Sequence, residues 1–269
     1  MYHQLLTYKA SFISYYRFGD GPVPVLCFHG YGENASSFGF LGKMPEQAFS
    51  FHALELPFHG STTWKEGLRF TTHDLKKIIE LMRLPAEIKP ILLGYSLGGR
   101  VALALYEQFP EAFSKLVLLA PDGLRMNPWY WFSTQTLLGN RLFRFTMHHP
   151  GWFFSLLKFM NKAGRVNASV FKFVTAYIGN PALRLALYNR WMVLRKLKPD
   201  LKKIRSLIRQ HHTPVMLLYG KYDRIILPVR GEKFRKGIEE FCSVEVISGG
   251  HQILQHKFIA DIIAALELP

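Results

Sequence analysis

The ten residues Ile91-Leu92-Leu93-Gly94-Tyr95-Ser96-Leu97-Gly98-Gly99-Arg100 constrain this chain more than any other stretch of it. A short apolar run, then Gly-x-Ser-x-Gly, then helix formers from Val101 to Gln108 describe a strand that turns abruptly into a helix. A Cβ at Gly94 or Gly98 would collide with the strand and helix across so tight a turn, so both positions require glycine. Ser96 then occupies a strained backbone conformation at the tip, its hydroxyl lifted clear of the sheet. The helix that starts at Leu97 points its unpaired N–H groups and positive dipole end at the same spot. Ser96 is therefore a candidate nucleophile, and the Leu97 N–H a candidate donor to a developing oxyanion.

Three further strand ends carry side chains that suit a nucleophilic serine. Val23 to Phe28 reads as a buried strand running into His29-Gly30-Tyr31-Gly32. Pro214 to Tyr219 ends in Gly220-Lys221-Tyr222-Asp223, and Ser243 to Ile247 ends in Gly249-Gly250-His251. Open α/β sheets keep their sites just beyond the carboxyl ends of strands, and here Ser, Asp and His fall there in that chain order. A hydroxyl is a poor nucleophile near neutral pH, so His251 is expected to take its proton and Asp223 to orient the imidazole. Asp122, after the strand from Lys115 to Ala120, is the alternative acid, and its other reading is a turn former beside Pro121 and Gly123. His256 is the alternative base, but it lies in what reads as the following helix.

These motifs resemble the α/β-hydrolase superfamily over nearly the whole chain. The resemblance implies a cofactor-independent serine hydrolase that cleaves a carboxylic ester or thioester with an apolar moiety through an acyl-enzyme, with Tyr31 giving the second oxyanion N–H. The heptad from Gly94 to Arg100 is also similar to the nucleophile segment of the menaquinone-pathway enzyme that eliminates pyruvate. That likeness implies, as an alternative, C–C bond chemistry on an anionic substrate, with Tyr95 and Arg100 in contact with it; the other reading of Arg100 is a buried ion pair beneath the elbow. A third reading keeps the fold but makes the chain a non-catalytic ligand sensor. His29 is read as a brace for its loop. The turn Leu56-Pro57-Phe58-His59-Gly60-Ser61 departs from the family's usual pattern, which has an Asp and a further Gly where this chain has Glu55 and Phe58.

The periodicity predicts strands near residues 5–8, 14–18, 23–28, 51–56, 90–94, 115–120, 215–219 and 244–247. Helices are expected near 72–84, 97–108, 229–241 and 252–266. This is an α/β fold with a mainly parallel eight-stranded sheet and helices on both faces, a size that 269 residues at 49% hydrophobic content can bury as one core. Between Gly123 and His212 no strand pattern appears. The expected organisation is a core of residues 1–122 and 213–269 with a helical lid, 123–212, inserted after the sixth strand.

That insertion is lopsided in charge: it holds 16 Lys plus Arg and one acid, Asp200, so the net +15 of the protein falls within it. It is also aromatic, and Trp129 and Trp131 are expected to line a substrate pocket. Three uses of such a lid are open: packing with solvated charges, peripheral contact with an anionic membrane, or attraction of an anionic small-molecule or lipid-like substrate. Nucleic acid is disfavoured because no binding motif accompanies the charge. No apolar run reaches spanning length. Cys27 in a buried strand and Cys242, placed near the surface end of a helix, do not read as a disulfide, and residues 1–20 do not read as a signal peptide, so a cytoplasmic setting is expected. The pairs His148-His149 and His211-His212 lack carboxylate or thiol neighbours at ligand spacing, and no metal or cofactor is expected.

Overall fold

The computed structural model describes residues 2–44, 48–85, 87–164 and 168–268. Eight strands form one sheet: β1 (Tyr2–Tyr8), β2 (Ser11–Phe18), β3 (Val23–Phe28), β4 (Phe49–Leu54), β5 (Ile91–Tyr95), β6 (Lys115–Leu119), β7 (Val215–Gly220) and β8 (Cys242–Ile247). Their spatial order is β1-β2-β4-β3-β5-β6-β7-β8. β1 and β2 are an antiparallel hairpin turned at Lys9, whose φ is +53°, and β2 meets β4 antiparallel. From β4 to β8 every pairing is parallel. Val25 to Phe28 and all of β5, β6 and β7 are buried, which is why these strands read as unbroken apolar runs rather than alternating ones. β8 is a sheet edge and is half exposed.

The chain steps from β3 outward to β4, then jumps back across β3 to β5 and proceeds in the other direction. The connections leaving the carboxyl ends of β3 and β5 therefore diverge, and the crevice between them is the topological switch point of the sheet. Phe28 pairs with Gly94 at that end, so the residues that follow each strand are neighbours.

Helices α1 (Thr72–Leu81) and α2 (Leu97–Gln108) lie in the same unit, and α2 packs on β5 and β3. Thr71 and Asp74 close a reciprocal capping box at the start of α1. The chain divides into two compact units, 1–125 with 196–269, and Met126–Arg195. The second unit contains α3 (Pro128–Gln135), α4 (Leu137–His148), α5 (Gly151–Lys162), α6 (Ala168–Gly179) and α7 (Pro181–Val193). Asn127, Thr136 and Asn180 cap α3, α4 and α7, with Pro128 and Pro181 at the first helical position. Its interior is built on rings: Phe143 lies 5.2 Å from Tyr188 and 5.5 Å from Trp191, and Tyr130 lies 5.1 Å from Trp191.

The helical insertion is shorter than its charge and lack of strands suggest. Helix α8 (Leu201–His211), expected within it, belongs to the first unit, because Ile204 and Ile208 bury one face of α8 and the helix packs against α2. Arg205 and Arg209 donate to the carbonyls of Lys236 and Gly237, and Asp200 caps the first turn. Residues 126–195 accordingly hold nine Lys plus Arg and no acid, which is part of the +15 and not all of it. Two other expectations change. Helix α9 (Val229–Arg235) stops well before 241, so Cys242 opens β8 and is buried rather than standing near a surface. Helix α10 (Ile259–Glu267) starts later than residue 252, after a short 3-10 turn at His256–Phe258.

Candidate active site

At the end of β5 the backbone makes the sharp turn that the glycines allow. Ser96 has φ +49° and ψ −113°, a region that L-residues rarely occupy. A Cβ on Gly98 would lie 1.8 Å from the Phe28 carbonyl oxygen, and one on Gly94 would lie 2.6 Å from that of Gly98, so any larger residue would push β3, β5 and α2 apart. Hydrogen bonds hold the strained turn in place. The Ser96 N–H donates to the Leu119 carbonyl, and the Ser96 carbonyl accepts from Gly99 and Asp122 N–H groups at 2.9 and 2.8 Å. Leu97 opens α2, and its N–H has no carbonyl one turn back to bond.

Asp223 lies three residues beyond β7 with its side chain wholly buried. Its Oδ1 accepts the N–H groups of Ile225 and Ile226 at 2.7 and 2.9 Å. Its Oδ2 lies 2.8 Å from Nδ1 of His251, and Nε2 of His251 lies 3.0 Å from Ser96 Oγ. A carboxylate only accepts, so Nδ1 carries the proton and Nε2 presents its lone pair to the serine hydroxyl. Main-chain bonds from Lys221 to Ile247 and from Tyr222 to Gly249 tie the loops after β7 and β8 together, which fixes the carboxylate against the ring.

Asp122 and His256 stand elsewhere. Asp122 Oδ2 lies 3.0 Å from Arg100 Nη2. Of the two readings of Arg100, the buried ion pair beneath the elbow is the one the structure shows: the residue is 8% exposed, and a desolvated guanidinium requires a carboxylate partner. His256 is exposed on the turn before α10, beside Phe40. Tyr95 is also corrected: it is 2% exposed, and its hydroxyl donates to the His251 carbonyl at 3.2 Å, bracing the histidine loop from below. Burial pushes the Tyr95 phenol well above its ordinary value. Trp129 and Trp131 are on α3 of the helical unit, 75% and 46% exposed.

The loop after β3 is pinned through His29, which is completely buried. Its Nε2 accepts the Leu56 N–H at 3.1 Å, which leaves Nδ1–H to donate to the Gly30 carbonyl at 2.8 Å. The turn after β4 resolves its departure from the family pattern by strain: Phe58 takes φ +62°, and buried Glu55 accepts the Ser61 N–H. One residue near the site goes unremarked in the sequence reading. Glu33 Oε2 is buried over Gly30 beside the Tyr95 ring and has no hydrogen-bond partner among the described residues. Burial raises its pKa, against the opposing pull of the Gly30 N–H and of His251. The signal available was a carboxylate three residues past His-Gly in an otherwise apolar and small-residue loop.

An eight-stranded, mostly parallel sheet with a serine elbow at its switch point, and a histidine and an acid at later strand ends, defines a class of enzyme. The chain belongs to the α/β-hydrolase-fold family, as an esterase-like serine hydrolase, and the family model matches residues 23–256. It is similar to the hydrolase YugF of Bacillus subtilis, 23% identical over 253 residues that cover 90% of each chain. It is 28% identical over 213 residues, 77% of this chain and 79% of the other, to the pimeloyl-[acyl-carrier protein] methyl ester esterase of Nitrosomonas europaea. A thermophilic esterase from Thermogutta terrifontis superposes with a TM-score of 0.67 at 19% identity, covering 99% of this chain and 97% of that one. Among the described residues no helix is long and apolar enough to cross a membrane, and no group of three His, Cys, Asp or Glu could hold a metal ion.

Proposed function

We propose that this protein hydrolyses a carboxylic ester or thioester with an apolar acyl or alcohol part, through an acyl-enzyme on Ser96. The observation that carries the reading is the unbroken line Ser96 Oγ, His251 Nε2, His251 Nδ1, Asp223 Oδ2, at 3.0 and 2.8 Å. Ser96 Oγ attacks the substrate carbonyl carbon while its proton passes to Nε2, and Asp223 stabilises the imidazolium. The carbonyl oxygen becomes an oxyanion that accepts from the N–H groups of Leu97 and Tyr31, each worth about 3 to 4 kcal/mol in comparable sites. Collapse of the tetrahedral species expels the alcohol or thiol, which takes the proton from Nε2. Water then gives a proton to His251 and attacks the acyl carbon, releasing the acid and restoring Ser96.

The relative named for a methyl ester esterase supports an ester as substrate. The pyruvate-eliminating alternative called on Arg100, which is engaged with Asp122. A fluorophosphonate should label Ser96 stoichiometrically, and a series of activated esters and thioesters of increasing chain length should be turned over with a preference for apolar acyl groups. Absence of labelling in folded protein, or turnover that survives Ser96→Ala, would reject the reading.

A further inference from the structure

Helices α4 and α5 turn an apolar stripe toward solvent. Leu138, Leu142 and Phe145 fall at i, i+4 and i+7 on α4 and are 71%, 41% and 53% exposed. Trp152, Leu156 and Phe159 repeat the spacing on α5 at 39%, 46% and 68%. A stripe of that period ordinarily faces a core. The inward positions are already taken, by Gly139, Thr146 and Met147 on α4 and Leu157 on α5, so each helix carries a second apolar face that the described residues leave exposed. The two helices are consecutive and in contact, which brings the stripes onto adjoining surface. Large exposed apolar patches mark places where something binds.

The charges beside the stripes say what binds. Arg141, Arg144, Lys158 and Lys162 are exposed on the same two helices, and residues 126–195 contain no acid to answer them. A second copy of this surface would bring like charges together with nothing to neutralise them. An anionic lipid surface satisfies both features at once, since aromatic and leucine side chains enter the acyl boundary while Lys and Arg lie at the head-group phosphates. We infer that α4 and α5 dock this protein on anionic lipid bilayers, as a peripheral contact independent of the hydrolytic site.

The test is co-sedimentation of the whole protein with vesicles of phosphatidylcholine alone and of the same lipid containing phosphatidylglycerol. Binding to the anionic vesicles should be stronger by about tenfold or more, and should be released in about 0.5 M salt, where the Debye length falls to about 4 Å. Brominated lipid in those vesicles should quench tryptophan emission. The variant Arg141→Glu/Arg144→Glu/Lys158→Glu/Lys162→Glu should lose binding, and Leu142→Ser/Phe159→Ser should weaken it with the charges intact, both with turnover of a water-soluble ester unchanged. Salt release and quenching need no substitution, so they decide the matter even where a variant fails to fold. Equal partition into neutral and anionic vesicles, no binding to either, or retention by an acidic polypeptide without binding to vesicles would overturn the inference. So would a stable dimer by light scattering that Leu142→Ser/Phe159→Ser dissociates.

Discussion

Ser96 performs two tasks that can be separated by substitution. Its hydroxyl is the proposed nucleophile, and its backbone is held at φ +49°. Ser96→Ala should reduce ester turnover by several thousandfold while the strain remains. Ser96→Gly should be equally inactive yet more stable than Ser96→Ala by about 1 kcal/mol, because glycine tolerates that conformation; equal melting temperatures for the two would contradict the strain. The two aspartates divide in the same way. Asp223→Asn should cost orders of magnitude in turnover by disturbing the His251 tautomer. Asp122→Asn should leave most of the activity but lower stability by about 2 kcal/mol, between the values for exposed and buried pairs, since Arg100 is left buried without its carboxylate. Reversed rankings in kinetics and urea unfolding would move the acid to Asp122. At Glu33 the folded protein retains the proton to higher pH than an ordinary glutamate of pKa 4.5. Between those two values the folded state binds more protons than the unfolded one, so this carboxylate makes stability fall as pH rises, and the penalty persists above. Glu33→Gln should therefore gain stability relative to the natural protein as the pH rises through and above the ordinary glutamate value of 4.5, and level off once the folded-state carboxyl has ionised. Urea midpoints measured across that range would show a flat difference if Glu33 were solvated.

At the scale of elements, α8 is the informative case. Its sequence is strongly basic, and Lys202, Lys203, Arg205 and Arg209 make it look like a continuation of the inserted unit. What assigns it to the core is a stripe of two isoleucines, Ile204 and Ile208, both fully buried. Replacing either by Ala should destabilise the protein by about 2 to 4 kcal/mol. Loss of the cap in Asp200→Ala should cost about 1 kcal/mol, because the N–H groups of Lys202 and Lys203 lose their acceptor. Chemical unfolding in which Ile208→Ala is no worse than Asp200→Ala would mean that α8 is not packed on α2. The central strands β3, β5, β6 and β7 were legible as unbroken apolar runs, since they are buried on both faces. The short α9 and the late start of α10 were not, because a segment such as 236–241, with Ile238 buried between exposed neighbours, satisfies the same apolar pattern in a turn as in a helix.

For the molecule as a whole, the separation of charge from chemistry predicts separate responses to salt. The proposed chemistry rests on short, largely buried hydrogen bonds among Ser96, His251 and Asp223, which a screened field does not reach. Turnover of a small neutral ester should stay level from low salt to about 0.5 M, whereas turnover of an ester presented in anionic vesicles should fall severalfold as the basic helical unit is screened. Steady-state rates on the two substrates in the same buffers check this, and parallel salt curves would sever the link between the basic surface and lipid.

The sequence by itself determined the eight strands, the serine elbow and the loops that bear Asp223 and His251, because each rests on a local signal: a doubly apolar run, a glycine where a Cβ cannot fit, a polar residue just past a strand end. Which of the two aspartates meets His251 is a matter of tertiary structure, since both follow a strand end in the pattern. The order of β5, β6 and β7 puts one loop against His251 and leaves the other over Arg100. Tyr95, Arg100 and Glu33 likewise acquired their partners or lost them only when residues far apart in the chain met. The stripe from Leu138 to Phe145 and that from Ile204 to Ile208 are alike as text, yet one faces solvent and the other the core. Helical period records that a face is apolar; what covers that face is settled by where the rest of the chain has gone.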